Sequence, residues 1–327
     1  MLKDNHGRII NYLRLAVTDR CNLRCQYCMP EDGLNWLGRD ELMSFGEMLQ
    51  ISRLLVKMGV SKIRITGGEP FARKGIMPFL DDLSKIQGLN ELTITTNGVL
   101  TAPLVPDLKK IGIKSVNLSL DTLDQDRFFA ITRRDVFGDV METLHRLLEH
   151  HIGVKINAVV MDGKNIQDIL PLVELTKELP VSVRFIEEMP FNGAMDDFEM
   201  KWDHKAILDH ITARFPDIKK IQDGPYSTSY NYQIPGHNGT VGIIAAYTRS
   251  FCGTCNRIRL TADGILKTCL YDKGVMNIKT LLRNGLDEHD LATTLTAAIT
   301  HRAKDGWEAE ADSLAHHSRE SMATIGG

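Results

Sequence analysis

The chain has 327 residues and a formal net charge of -3, with 43% hydrophobic and 25% charged residues. That length holds one large α/β domain or two smaller ones, and the near-neutral balance excludes a nucleic-acid partner held by bulk charge. No run of about 18 apolar residues occurs, so no membrane span is expected. The N-terminus MLKDNHGRII is too polar for a secretory signal, which points to the cytoplasm, where thiols stay reduced.

In chain order, short β-rich runs alternate with helical patterns. The runs are NYLRLAVT (11–18), SKIRITGG (61–68), ELTITTNG (91–98), SVNLSLD (115–121), GVKINAVVM (153–161) and VSVRFIEEM (181–189). Between them lie amphipathic stretches such as FGEMLQISRLLVKMG and VFGDVMETLHRLLEHH. In the second, Val136, Val140, Leu144, Leu147 and Leu148 recur at helical spacing. Six strand–helix units predict a parallel α/β sheet with crossover helices, either an incomplete (βα)6 TIM-type barrel or an open doubly wound sheet. Both bind ligands at the carboxyl ends of the strands. Polar motifs sit at those ends: CNLRCQYCMP after the first run, TGGEP after the second, then TTNG, SLD and EEMP. Beyond about residue 215 the pattern changes to a loop and hairpin, DGPYSTSYNYQIPGHNGTVGII, and then a polar helical tail ending SMATIGG. A boundary near 220 separates residues 1–220 from 221–327.

The six cysteines form two triplets. Cys21, Cys25 and Cys28 are spaced C-x3-C-x2-C, and Cys252, Cys255 and Cys269 are spaced C-x2-C-x13-C. A disulfide takes two thiols and a closed zinc site four ligands. An iron–sulfur cube has four irons, so three thiolates leave one iron open for a small molecule. Zinc is the rival for each triplet, with His6 and Asp19 the nearest further ligands for the first.

The first triplet, with Tyr27 before its last cysteine and GGEP downstream, resembles the radical S-adenosylmethionine (SAM) superfamily. CGTCNRIRLTADGILKTCLY narrows the resemblance to the MoaA family, the GTP 3',8-cyclases of molybdenum-cofactor synthesis, which runs from LRLAVTDRCNLRCQYCMP to the terminal Gly-Gly. It implies an incomplete (βα)6 barrel with a C-terminal extension, and two [4Fe–4S] clusters on Cys21, Cys25, Cys28 and on Cys252, Cys255, Cys269. The first cluster would bind SAM and the second the guanine of GTP. Tyr27, Gly68, Ser119 and Met189 match SAM positions. Where the family motif commonly has a large apolar residue before that methionine, this chain has Glu188.

Arg257 and Arg259 match the GTP-binding pair, and Arg14, Arg64, Thr95 and Lys155 match further GTP positions. Arg184 belongs with them. The physical reading agrees: GTP brings about four negative charges and needs bidentate and point cations. An inward strand arginine in a covered parallel sheet is costly unless paired. Gly326 and Gly327 match a tail that enters the active site and is needed for activity. The implied reaction is cleavage of SAM to a 5'-deoxyadenosyl radical, removal of the 3' hydrogen of GTP, and closure of C3' on guanine C8. Its implied partners are GTP, an electron donor and a downstream cyclic pyranopterin monophosphate synthase, and a homodimer is compatible with the chain. Two alternatives stay open: another radical SAM enzyme with an auxiliary cluster, and a non-catalytic iron–sulfur or zinc-binding protein.

Overall fold

The computed structural model describes residues 1–31, 33–190, 198–314 and 321–326. In chain order the first half contains β1 (Tyr12–Ala16), α1 (Phe45–Met58), β2 (Lys62–Thr66), α2 (Ile76–Ser84), β3 (Glu91–Thr96), α3 (Val105–Ile111), β4 (Ser115–Ser119), α4 (Gln125–Thr132), α5 (Phe137–Glu149), β5 (Gly153–Val160), α6 (Ile169–Glu178) and β6 (Val181–Glu187). There follow α7 (His204–Arg214), β7 (Lys219–Lys220), β8 (Ser229–Gln233), β9 (Thr240–Ile244), β10 (Arg257–Leu260), β11 (Ile265–Lys267), β12 (Met276–Asn277), α8 (Ile278–Arg283), α9 (Glu288–Thr300), α10 (Gly306–Leu314) and α11 (Met322–Ile325). Each of the six expected runs contains a strand. The expected hairpin is β8–β9, antiparallel with Tyr230 opposite Ile243.

Local signals set the crossovers. In α1, Ser44 accepts from the Glu47 amide while the Glu47 carboxylate accepts from the Ser44 amide, a reciprocal cap. Gly59, at φ 118°, ends the helix in the left-handed region. In α5 the buried stripe is Val140, Thr143, Leu144 and Leu147, whereas Val136 lies just outside as the N-cap.

The strands form one sheet in the order β12-β11-β10-β1-β2-β3-β4-β5-β6-β9-β8-β7. Strands β1 to β6 run parallel in sequence order, as expected. The C-terminal part adds a parallel strand at each side, β10 beside β1 and β9 beside β6. The outermost strands, β12 and β7, are not paired with each other among the described residues, so the barrel stays incomplete. Strands from both sides of residue 220 share this sheet.

Alternation along the strands divides two environments. Leu13, Leu15, Ile63, Ile65, Ile94, Val116, Leu118, Ile156, Val183 and Phe185 are buried in the hydrophobic core. Each such side chain stabilises the fold by roughly 1.5–3 kcal/mol relative to exposure. Among the intervening residues Arg14, Arg64, Thr95, Asn117, Lys155 and Arg184 are polar and line a cavity, which takes the place of a filled barrel interior. Among the described residues, no helix is long and apolar enough to cross a membrane.

Candidate active site

The cavity has a volume of about 770 Å³, within the range of small-molecule sites. All six cysteines line it, as do Tyr27, Gly68, Ser119, Met189, Arg14, Arg64, Thr95, Lys155, Arg184, Arg257 and Arg259. Thus all the expected site residues but the terminal glycines converge on one space.

The first triplet lies on the loop after β1. The Leu23 amide donates to Cys21 Sγ at 3.4 Å, and Asn97 Nδ2 approaches the same sulfur at 3.6 Å. Asn97 Nδ2 also donates to Asn22 Oδ1 at 2.7 Å. The loop is pinned against β2 through Gly67 and Gly68. The Gly68 amide donates to the Thr18 carbonyl at 2.8 Å, and a Cβ on Gly68 would stand 2.3 Å from the Arg20 carbonyl oxygen. Only glycine permits this backbone contact. Glu69 is fully buried and accepts from the Asn97 and Phe71 amides and from Thr96 Oγ1, tying TGGEP to TTNG. Burial pushes its carboxyl up to about 7 against those hydrogen bonds. Tyr27 donates to Asp121 Oδ2 at 3.0 Å, joining the cysteine loop to the end of β4. Burial holds the Asp121 carboxyl up at about 6.

The donor chemistry fits an iron–sulfur cluster. Burial pushes the Cys21 thiol up to about 11, and burial with neighbouring Cys28 raises Cys25 well above the usual thiol range. Left alone these thiols stay protonated; a cationic cluster supplies what a thiolate there needs. Among the described residues no three His, Cys, Asp or Glu side chains are grouped closely enough for a single ion. Three thiolates on three different irons need no such convergence. As for the zinc alternative, Asp19 Oδ2 accepts from the Leu37 amide and His6 Nε2 faces the Arg302 carbonyl, beside the second triplet.

The second triplet lies before and after β10. Cys255 Sγ accepts from Arg257 Nη1 at 3.7 Å and from Arg302 Nη2 at 3.6 Å. Burial raises the Cys255 thiol, but Arg257 and Arg302 together prevail and bring it down to about 7. Burial holds Cys269 up at about 11.

Between the triplets lies a row of cations. The register sets Arg259 beside Arg14 and Arg14 beside Arg64 on adjacent strands. Like charges directly opposed destabilise a sheet. Among the described residues, Arg14, Arg64, Lys155, Arg184, Arg257 and Arg259 form no ion pair with a carboxylate. Burial and neighbouring Arg259 push Arg14 well below the usual arginine range, and burial with Arg184 and Arg64 brings Lys155 down to about 8. Among the described residues, the buried atoms Arg14 Nε, Arg184 Nε, Thr66 Oγ1, Thr95 Oγ1, Asn117 Oδ1 and Asn157 Oδ1 have no hydrogen-bond partner, and all belong to cavity-lining residues. Buried polar groups are rarely left so. A polyanionic ligand with many acceptors and hydroxyls satisfies both the charges and the orphans.

Arg257 and Arg259 face the same side, with Ile258 fully buried on the other, as an extended segment requires. Met189 Sδ accepts from Tyr271 Oη at 3.4 Å. Glu188 is half-buried, its carboxyl raised by burial and eased by Lys164. Gly326 ends α11, whose Ala323 and Ile325 are buried. It sits at φ 73°, and a Cβ there would lie 2.7 Å from Thr66 Oγ1. Gly327 lies outside the described residues.

Sequence reasoning missed Lys62, Asn117, Asn157, Asp121 and Asn97 on the cavity wall. Strand alternation could have found three of them. Lys62 shares a face with Arg64, Asn117 with Ser119, and Asn157 with Lys155.

Residues 15–176 match the Radical SAM superfamily, and residues 181–307 match Molybdenum Cofactor Synthesis C. The chain is 40% identical to a GTP 3',8-cyclase of Desulforamulus reducens, with 99% of each chain covered. It is 41% identical to the mitochondrial GTP 3',8-cyclase of Arabidopsis thaliana, over all of this chain and 84% of that one. It is 42% identical to molybdenum cofactor biosynthesis protein 1 of Bos taurus over 93% of its length, but spans only 48% of that longer relative. Among solved structures, Streptococcus suis SuiB bound to S-adenosylmethionine shares the fold, with a TM-score of 0.62 at 16% identity over 88% of this chain and 68% of that one. Near-full-length identity to relatives of the same size, on a partial barrel that gathers two cysteine triplets around one cationic cavity, decides the matter: this chain belongs to the GTP 3',8-cyclase family of radical SAM enzymes.

Proposed function

We propose that this chain cyclises GTP to (8S)-3',8-cyclo-7,8-dihydroguanosine 5'-triphosphate, using SAM and two [4Fe–4S] clusters, as the first step of molybdenum-cofactor synthesis. The observation that carries this reading is the row Arg259, Arg14, Arg64, without carboxylate partners, between two three-cysteine sets in one cavity. In this reading residues 1–220 form the partial barrel that holds SAM, and residues 221–327 carry the second cluster. The first cluster, when bound, supplies the electron that splits SAM into methionine and the radical that takes the 3' hydrogen of GTP.

The chain's own residues bind, orient and exclude water. Arg14, Arg64, Arg259, Lys155 and Arg184 hold the triphosphate, each charged hydrogen bond contributing about 1.5–3 kcal/mol. The Thr95 hydroxyl, buried and unpartnered, takes a further GTP contact. Arg257 stands against Cys255 Sγ and so holds GTP beside the second cluster. Tyr27, fixed by Asp121, Ser119 and Met189 position SAM, while Gly68 lets the backbone approach it. Near-contact placement of the reacting atoms in a dry cavity is the protein's share of the rate. An electron donor, a downstream cyclic pyranopterin monophosphate synthase, a cytoplasmic setting and a homodimer complete the proposal.

The test is anaerobic incubation of reconstituted protein with GTP, SAM and dithionite under nitrogen, with products identified by mass. The expected products are 5'-deoxyadenosine and the cyclised nucleotide in step. Deoxyadenosine formation unaffected by GTP, with GTP recovered intact, would overturn the proposal in favour of another radical SAM substrate.

A further inference from the structure

The N-terminal segment, which the proposed chemistry leaves unused, builds a charged platform beneath the second triplet. Asp4 is buried and takes both the Arg8 amide at 2.9 Å and Arg8 Nε at 2.6 Å. The same carboxylate lies 3.8 Å from Arg302 Nε. Arg8 Nη1 donates to the carbonyl of Cys252 at 3.0 Å and to that of Lys304 at 2.6 Å, and Arg8 Nη2 donates to the carbonyl of Ala303 at 2.8 Å. The Asn5 amide donates to the Thr300 carbonyl at 2.9 Å, and His6 Nε2 meets the Arg302 carbonyl at 3.2 Å. Residues 4–8 thus grip the segment after α9 and one of the cysteine backbones.

The charges do not cancel. Two guanidiniums, with side chains only 7% and 3% exposed, share one carboxylate that is fully buried. One positive charge is left over inside the protein, and a buried charge without a counter-ion is strongly unfavourable. Arg302 spends it on Cys255: Nη2 lies 3.6 Å from Sγ and Nη1 3.4 Å from the carbonyl. Arg257 reaches the same sulfur from the cavity wall. The first triplet differs. Its sulfurs take hydrogen bonds from the Leu23 amide, the Asn97 side-chain amide and the Tyr27 hydroxyl, all neutral, and Arg24 acts on Cys21 only through its charge.

We infer that Arg302, its charge set beside Asp4 while Arg8 fixes the backbone of residues 303 and 304, is a positioning residue that donates a charged hydrogen bond to the Cys255 thiolate and raises the reduction potential of the second cluster. A positive charge and an N–H donor at a ligand sulfur both favour the reduced, more negative cluster. The inference rests on the reading of the second triplet as a cluster site.

The test uses the full chain with Cys21, Cys25 and Cys28 changed to alanine, so that only the second cluster reports. In that parent, Arg302→Gln and Arg302→Lys are compared by iron analysis and by redox titration followed by electron paramagnetic resonance. Arg302→Gln should move the potential downward, while Arg302→Lys should retain most of the parent value. If Arg302→Gln loses its iron while Arg302→Lys keeps it, the charge requirement stands. Glutamine at the parent potential, lysine falling as far as glutamine, or iron lost equally from both would overturn the inference. A parent that binds no iron would instead overturn the cluster reading on which it rests.

Discussion

Arg259 Nη1 donates to the carbonyl oxygen of Gly326 at 3.0 Å, joining β10 to the turn after α11. Arg259 is at once one of the three arginines abreast and the anchor of the chain end. The terminal segment is therefore folded onto the cavity wall as far as Gly326, where Met322 and Ala323 line the same space.

Removing Gly326 and Gly327 should stop cyclisation with little change in melting temperature, since Ala323 and Ile325 retain their burial. Both clusters should stay loaded. Gly326→Ala should act in the same direction, because its Cβ would crowd Thr66 Oγ1 and Ala16 Cβ. Turnover at the full rate by the truncated protein would show that the Arg259 contact is only structural.

Arg257→Ala and Arg259→Ala should each weaken GTP binding roughly ten- to a hundredfold, the effect of one lost charged hydrogen bond. The first cluster should remain. Calorimetric titration of GTP into reconstituted protein checks this; unchanged affinity in both would remove them from the site.

The anaerobic wild type should hold about eight irons and eight sulfides, as two cubes would. Changing Cys252, Cys255 and Cys269 to alanine should halve the iron and preserve SAM cleavage while abolishing cyclisation. Changing the first triplet should abolish SAM cleavage outright. Iron, sulfide and zinc analysis separates these outcomes, and stoichiometric zinc without iron would refute the cluster assignment.

Lys155→Gln should make the nucleotide-free protein more stable while weakening GTP binding. Burial, then Arg184 and Arg64, bring the Lys155 ammonium down to about 8. Its charged form is therefore disfavoured in the folded state. That destabilisation is fully present below about pH 8 and fades as pH rises from 8 toward the ordinary lysine value. At pH 7 the variant should gain roughly 1–2 kcal/mol after allowance for residual exposure, and the gain should shrink above pH 8. Thermal melts across pH 6.5 to 9.5 provide the measurement. A variant less stable than wild type at pH 7 would mean that packing of the lysine stem outweighs the repulsion.

Much of the site was readable because its elements repeat one local rule. The strands β1 to β6 alternate an apolar face, such as Leu13 and Leu15, with a largely polar one, such as Arg14, and all but β5 carry a polar motif at the carboxyl end. Two cysteine triplets in fixed spacing and two arginines at 257 and 259 are similarly local, and local patterns survive in one dimension. Lys62, Asn117 and Asn157 obeyed the same alternation, but lone polar strand residues stand out less than arginines among apolar neighbours.

What the sequence by itself determined was the βα alternation, the two cysteine triplets and the cationic inner face, since each depends on residue type and spacing within a few positions. Only the tertiary structure decided that β9 and β10, from beyond residue 220, complete the parallel sheet at its two sides. It alone set Arg259, Arg14 and Arg64 abreast, because register between strands 50 or more residues apart is fixed by packing and not by local preference. It also brought Asp4, Arg8 and Arg302 together beneath Cys255. A buried charge cluster drawn from both ends of the chain has no one-dimensional signature. Its members read locally as solvated surface, and only burial against one another gives them a counter-ion to find.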